Sequence, residues 1–158
     1  MPITPFHFGP GAALHALAPR HVSFLAFCAA NGLIDVESLY NLVHGRQPVH
    51  AFFHTYVGAS LVALGIAALF RAWLRLMRGR FSGGLGLRQV VIGATLGAWT
   101  HVLLDSVMHA DIQPLQPLSA ANGLYRIVSL SALHWGCIAA GALALLVIGV
   151  RRLRATRQ

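Results

Sequence analysis

Residues 127–150 contain no Asp, Glu, Lys or Arg. A helix of that length rises about 1.5 Å per residue and so matches the ~30 Å hydrocarbon core of a bilayer. Two further apolar stretches, centred on residues 61–70 and 90–99, have the same character. Only 10% of the 158 residues are charged and 56% are hydrophobic, whereas soluble domains carry about 25% charged residues. Four acids and twelve bases cannot clothe a water-soluble surface of this size. The chain is therefore expected to be an integral membrane protein, all-α and polytopic.

A net charge of +8 would suggest nucleic acid in a soluble protein. Here every basic residue is arginine, and the arginines gather between apolar runs, as topology by the positive-inside rule requires. No basic stripe interleaved with aromatics is present, so no nucleic-acid partner is expected. Cys28 and Cys137 stand alone within apolar runs and read as small hydrophobes. The N-terminus lacks the basic start of a signal peptide and is expected to be retained.

The pattern predicts a single membrane domain over 1–158. Pro and Gly make the first ten residues irregular, and 11–18 is too short to span, so 1–20 reads as an interfacial or re-entrant segment. Four transmembrane helices follow, at about 21–42, 49–76, 88–109 and 127–150, with a basic, solvated tail at 151–158. A flexible Gly-rich loop at 81–86 separates the second span from the third. Asn31-Gly32 is a weak point in the first span, and Asp35 and Glu37, two apart, can share one site only if that helix is distorted or ends there. Ten arginines fall on the side of both termini and two, Arg46 and Arg126, on the other. Both termini are thus expected in the cytoplasm of a bacterium, the protein lying in its inner membrane.

With that orientation the ionisable residues share one level in the outer half of the membrane. His101 and Asp105 are four apart, so they stack on one helical face, and His50 and His54 have the same spacing. Asp35, His54, His101 and His134 all fall at roughly 6–12 Å from the outer helix ends. Imidazole and carboxylate are the usual ligands of catalytic zinc, and ligands at i and i+4 can meet one ion. The expected metal ligands are Asp35, His50, His54, His101 and Asp105, holding a divalent ion, zinc first, with manganese or iron as alternatives. More than four candidates also permit two ions, an arrangement suited to attack on a phosphate ester. Glu37 is the expected general base. His7, His109, Asp111 and His134 are possible further ligands or orienting groups, and Tyr56 is a possible substrate contact.

The order of these elements resembles the LexA-regulated, membrane-bound metal-dependent hydrolase-like proteins of bacteria. Those show an early His near a Gly, an acidic Asp-x-Asp-type motif ending an apolar run, a His…His-Thr/Ser motif, and a His-x-x-x-Asp before a Pro-rich loop. The counterparts here are His7-Phe8-Gly9, Asp35-Val36-Glu37, His50…His54-Thr55, and His101…Asp105 before Pro114 and Pro117. The likeness covers about residues 5–118. It departs at the His pair, which is four apart rather than five, and at Ala51, where a basic residue is common.

Residues and resemblance together imply a metal-dependent membrane hydrolase acting on an ester or phosphoester of a lipid-like substrate. Two other readings stand beside it: a metal- or haem-binding membrane protein without catalysis, and a polar cluster serving structure or a proton or ion path.

Overall fold

The computed structural model describes residues 5–76 and 85–157. The Gly-rich loop with Arg78 and Arg80 falls mostly on 77–84, and lies outside the described residues together with 1–4 and 158. Among the described residues the fold is all-helical: α1 (Pro5–Leu17), α2 (Phe24–Val43), a one-turn 3-10 helix (Phe52–His54), α3 (Tyr56–Leu76), α4 (Leu87–Met108) and α5 (Leu130–Ala155). Three of these, α3, α4 and α5, are long and apolar enough to cross a membrane. The 20-residue α2 is outside that set and carries Asn31, Asp35, Glu37 and Asn41.

Helix α4 is the centre of the assembly, with α2 packed on one side and α3 on another. The contact is made of small side chains: Ala26 and Ala30 from α2, Ala59 and Ala63 from α3, and Ala94 and Ala98 from α4 are all buried. Gly93 and Gly97 of α4 lie directly on the backbone of Ser23 and Phe27; a Cβ at Gly97 would sit 2.5 Å from the Phe27 carbonyl oxygen. This small-xxx-small surface lets two backbones approach as they do in membrane helix pairs. It seats the polar stripe of α2 against the face of α4 that carries His101.

Two expectations are corrected at the N-terminal end of the fold. Residues 5–10 are helical rather than irregular and continue through 11–17 as one helix, with Pro10 inside it. Pro5 occupies the first turn, where a missing N–H costs nothing, and Gly9 touches the backbone of Cys137 in α5, a place no Cβ could occupy. The glycine here serves close packing, not a turn. Likewise α2 passes through Asn31-Gly32 and both acids without a break. Ser23 starts it by accepting a hydrogen bond from the Ala26 amide at 3.2 Å.

The expected start of the second span at 49 is also corrected. Residues 47–55 form a loop closed by the 3-10 turn, and α3 begins only at Tyr56. Thr55 caps the start of α3, its hydroxyl accepting from the Gly58 amide at 2.9 Å and donating to the Phe52 carbonyl at 2.8 Å. At the other end of the chain α5 continues through Arg151, Arg152 and Arg154 to Ala155, so most of the basic tail is helical. Much of α5 is exposed; its main support is α1, through Ala13, Ala16 and Ala144. Arg151 adds a hydrogen bond to the Ala16 carbonyl at the end of α1.

Candidate metal centre

Where α2, the 3-10 turn and α4 meet, four ligand atoms converge: one each from Asp35, His54, His101 and Asp105. His54, His101 and Asp105 are fully buried, and Asp35 forms the more open wall. His101 Nε2 lies 3.3 Å from Asp35 Oδ1, 3.4 Å from Asp105 Oδ2 and 3.4 Å from His54 Nε2. His54 Nε2 lies 3.6 Å from Asp105 Oδ2 and 3.9 Å from Asp35 Oδ1. Tetrahedral ligands held about 2.0–2.1 Å from a zinc ion are themselves about 3.3 Å apart. The five distances are those of such a shell, slightly expanded. This group can hold a divalent metal.

The outward nitrogens of the two histidines show which way the rings are set. Asn31 is buried in α2, and its NH2 group donates to the carbonyls of Phe27 at 2.9 Å and Gly97 at 3.3 Å. Its side-chain oxygen is thereby left to accept, and His101 Nδ1 lies 3.0 Å from it. The proton of His101 therefore belongs on Nδ1, and the Nε2 lone pair points into the cluster. His54 Nδ1 has Ser38 Oγ at 3.4 Å in the same role. Outer partners of this kind orient ligand histidines in metal sites. Two imidazole nitrogens and two carboxylates aimed at one buried point need a proton or a metal cation among them.

His7 of α1 joins this site. Its Nε2 comes within 3.0 Å of Asp105 Oδ1, and its ring lies 4.6 Å from that of His101. The approach is not aligned for a hydrogen bond: both His7 nitrogens and both Asp105 oxygens are buried without a hydrogen-bond partner. Interior carboxylates without donors are costly, and ion coordination is the usual remedy.

Beside this group is a second one. His50, Asp105 and His109 also offer ligand atoms within 4.8 Å of one another. The Asp111 carboxylate holds His50, accepting from its backbone N–H at 3.1 Å and lying 3.0 Å from Nδ1 through both oxygens. Burial works against the Asp111 charge, but the hydrogen bonds from His50 outweigh it and hold the carboxyl below its usual range. His109 follows the last residue of α4, and burial, helped by His50 alongside, keeps its imidazole below the ordinary histidine value. Asn122 fixes the end of α4 by donating to the carbonyls of Ser106 and His109 at 2.9 and 3.1 Å.

Several expected roles change place. His50 and His54 do not share a helical face, since both precede α3; they meet edge to face in the loop, ring centres 4.8 Å apart. Glu37 is engaged elsewhere: its oxygens accept from the Phe52 and Phe53 amides at 3.2 and 2.6 Å. It anchors the start of the 3-10 turn, as a carboxylate does at any helix N-terminus, and so sets the position of His54. Asp35 and Glu37 thus serve different partners from an unbroken helix. His134 stacks on Phe6, ring centres 4.3 Å apart, and belongs to neither ligand group. Tyr56 packs edge to face on Trp99 at 5.9 Å.

Asn31 and Ser38 are the orienting residues that pattern reading misses. Their signal is present all the same: Asn31, Asp35 and Ser38 follow i, i+4, i+7 along one face of α2. No protein-family model, curated protein or solved structure matches the chain.

Proposed function

We propose that this is a metal-dependent hydrolase of a bacterial inner membrane, acting on an ester or phosphoester of a lipid-like substrate. The observation that carries the reading is the buried convergence of Asp35, His54, His101 and Asp105 at the ligand spacings of a tetrahedral ion. The Asp2His2 donor set suits zinc, with manganese or iron as alternatives. A divalent cation there supplies Lewis acidity, which brings the ionisation of water into the neutral range and polarises an ester oxygen. The chain's own contribution is a rigid, oriented ligand set, most exposed at Asp35, where water and a substrate headgroup can approach. The resemblance to membrane-bound metal-dependent hydrolases supports hydrolysis as the chemistry.

Helix α2 serves as a fourth span. Its 20 residues cover about 30 Å, and its polar stripe faces α4 through Asn31 and Asp35. Both termini are then cytoplasmic by the distribution of arginine, and the site opens toward the outer face. That level favours an amphiphile whose headgroup enters from the membrane surface. A haem is disfavoured, since His54 Nε2 and His101 Nε2 stand only 3.4 Å apart with carboxylates around them and leave no room for a macrocycle.

The test uses full-length protein purified in mild detergent. Bound zinc, manganese or iron and turnover of an amphiphilic phosphate ester or carboxylic ester, both lost in Asp105→Asn, are expected. Protein that binds no divalent metal, or whose turnover is unchanged by Asp105→Asn, would overturn the reading.

A further inference from the structure

Asp105 belongs to both ligand groups. Its Oδ2 faces His54 and His101 at 3.6 and 3.4 Å, so one ion in the first group engages one oxygen. The side chain is 1% exposed, and neither oxygen has a hydrogen-bond partner. A single ion therefore leaves Asp105 Oδ1 with only the poorly aligned His7 Nε2, 3.0 Å away, beside it.

On the second group's side, His50 is prepared in the same way as the histidines of the first. Asp111 lies 3.0 Å from His50 Nδ1, which assigns the proton to Nδ1 and leaves Nε2 as a donor toward an ion. This is the carboxylate–histidine–metal arrangement that orients many ligand imidazoles. His109 Nε2 is buried with no hydrogen-bond partner. The two rings lie 4.2 Å apart and 31° from parallel, a crowding that neutral imidazoles tolerate and a shared cation favours.

We propose that a second divalent cation binds between His50, His109 and Asp105, so that Asp105 bridges two ions. The proposal rests on the first group being a metal centre. The two ions have different shells. The first has four protein ligands, of which only Asp35 is partly exposed. The second has three, the number that leaves a position open for water or substrate in catalytic zinc sites. Substrate oxygen thus gains a second position at the His50–His109 ion beside the open Asp35 wall, and the pair is suited to holding the attacking and leaving oxygens of a phosphoester. Among esters of amphiphiles, the phosphate ester is the substrate class this arrangement selects.

Metal stoichiometry and coupling decide the matter. Full-length protein in detergent is stripped of metal and reloaded with Mn(II), then measured by elemental analysis and electron paramagnetic resonance. Two ions per chain with an exchange-coupled signal are expected for the unaltered protein. His109→Ala is expected to hold one ion with an uncoupled signal, and the retained ion shows that the variant has folded. Asp111→Asn, which removes no ligand, is expected to weaken the second ion by about 10–100-fold while leaving the first; it decides the question if His109→Ala does not fold. One ion per chain in the unaltered protein, or two in both variants at unchanged affinity, overturns the second site and leaves the first standing. No ion at all overturns the metal centre itself, and this site with it.

Discussion

The Nδ1 of His101 and the side-chain oxygen of Asn31 lie 3.0 Å apart across the α2–α4 contact. Because the Asn31 NH2 is committed to two backbone carbonyls, this one contact determines which nitrogen of His101 faces the cluster. A residue outside the candidate ligand set thereby orients one within it.

Asn31→Ala should weaken metal binding by about 10–100-fold, the usual effect of deleting an outer partner of a ligand histidine. Asn31→Asp keeps an acceptor for His101 and should retain more of the affinity. Competition with a chelator of known affinity measures both. Unchanged binding in Asn31→Ala would detach Asn31 from the site.

Glu37→Gln separates anchoring from proton transfer. Loss of a general base typically costs 10²–10⁴ in rate. As an anchor of the Phe52 and Phe53 amides, Glu37 is instead expected to yield a variant within about tenfold of full turnover, with a loss of about 1–2 kcal/mol in stability. Thermal unfolding and steady-state kinetics on the same preparation distinguish the two, since a base would leave stability untouched and abolish kcat.

Gly97→Ala places a methyl group 2.5 Å from the Phe27 carbonyl oxygen and should force α2 off α4. Overpacking of this kind costs roughly 1–3 kcal/mol, and the displaced Asn31 should carry metal affinity down with it. Gly65→Ala is the matched control, since a Cβ there meets nothing within 4 Å. Unfolding midpoints in detergent, read with and without metal, compare the two.

Adding metal to stripped protein should raise its unfolding temperature, because a ligand that binds only the folded state stabilises it. In Asp105→Asn that rise should vanish, because the substitution removes a carboxylate shared by both ligand groups. Calorimetry of four samples, two proteins with and without metal, provides the check.

Helical periodicity made part of this site legible. His101 and Asp105 are four apart in an uninterrupted apolar run, that run is α4, and the spacing becomes the contact. The same spacing at His50 and His54 misleads, because Glu37 and Thr55 hold residues 52–55 in a different local geometry. Neither tie is written in the local pattern; Glu37 reaches it from another helix. His7 is a similar case. Gly9 and Pro10 look like punctuation, and only the presence of α5 shows that the glycine admits a neighbouring backbone. Matching depths across helices grouped Asp35, His54 and His101, which the structure also brings together, but admitted His134 as well, since depth fixes a level in the membrane and not a direction around the helix axis.

The ligand set has a consequence for the order of biosynthesis. The candidate ligands Asp35, His54, His101 and Asp105 come from α2, the 3-10 turn and α4, while His7 beside them comes from α1, which is held largely by α5. A nascent chain emerging helix by helix holds no complete set until α4 has been inserted, and cannot brace His7 until α5 has joined. Metal captured at this site would therefore be a late acquisition, made once α2, the 3-10 turn and α4 have packed together.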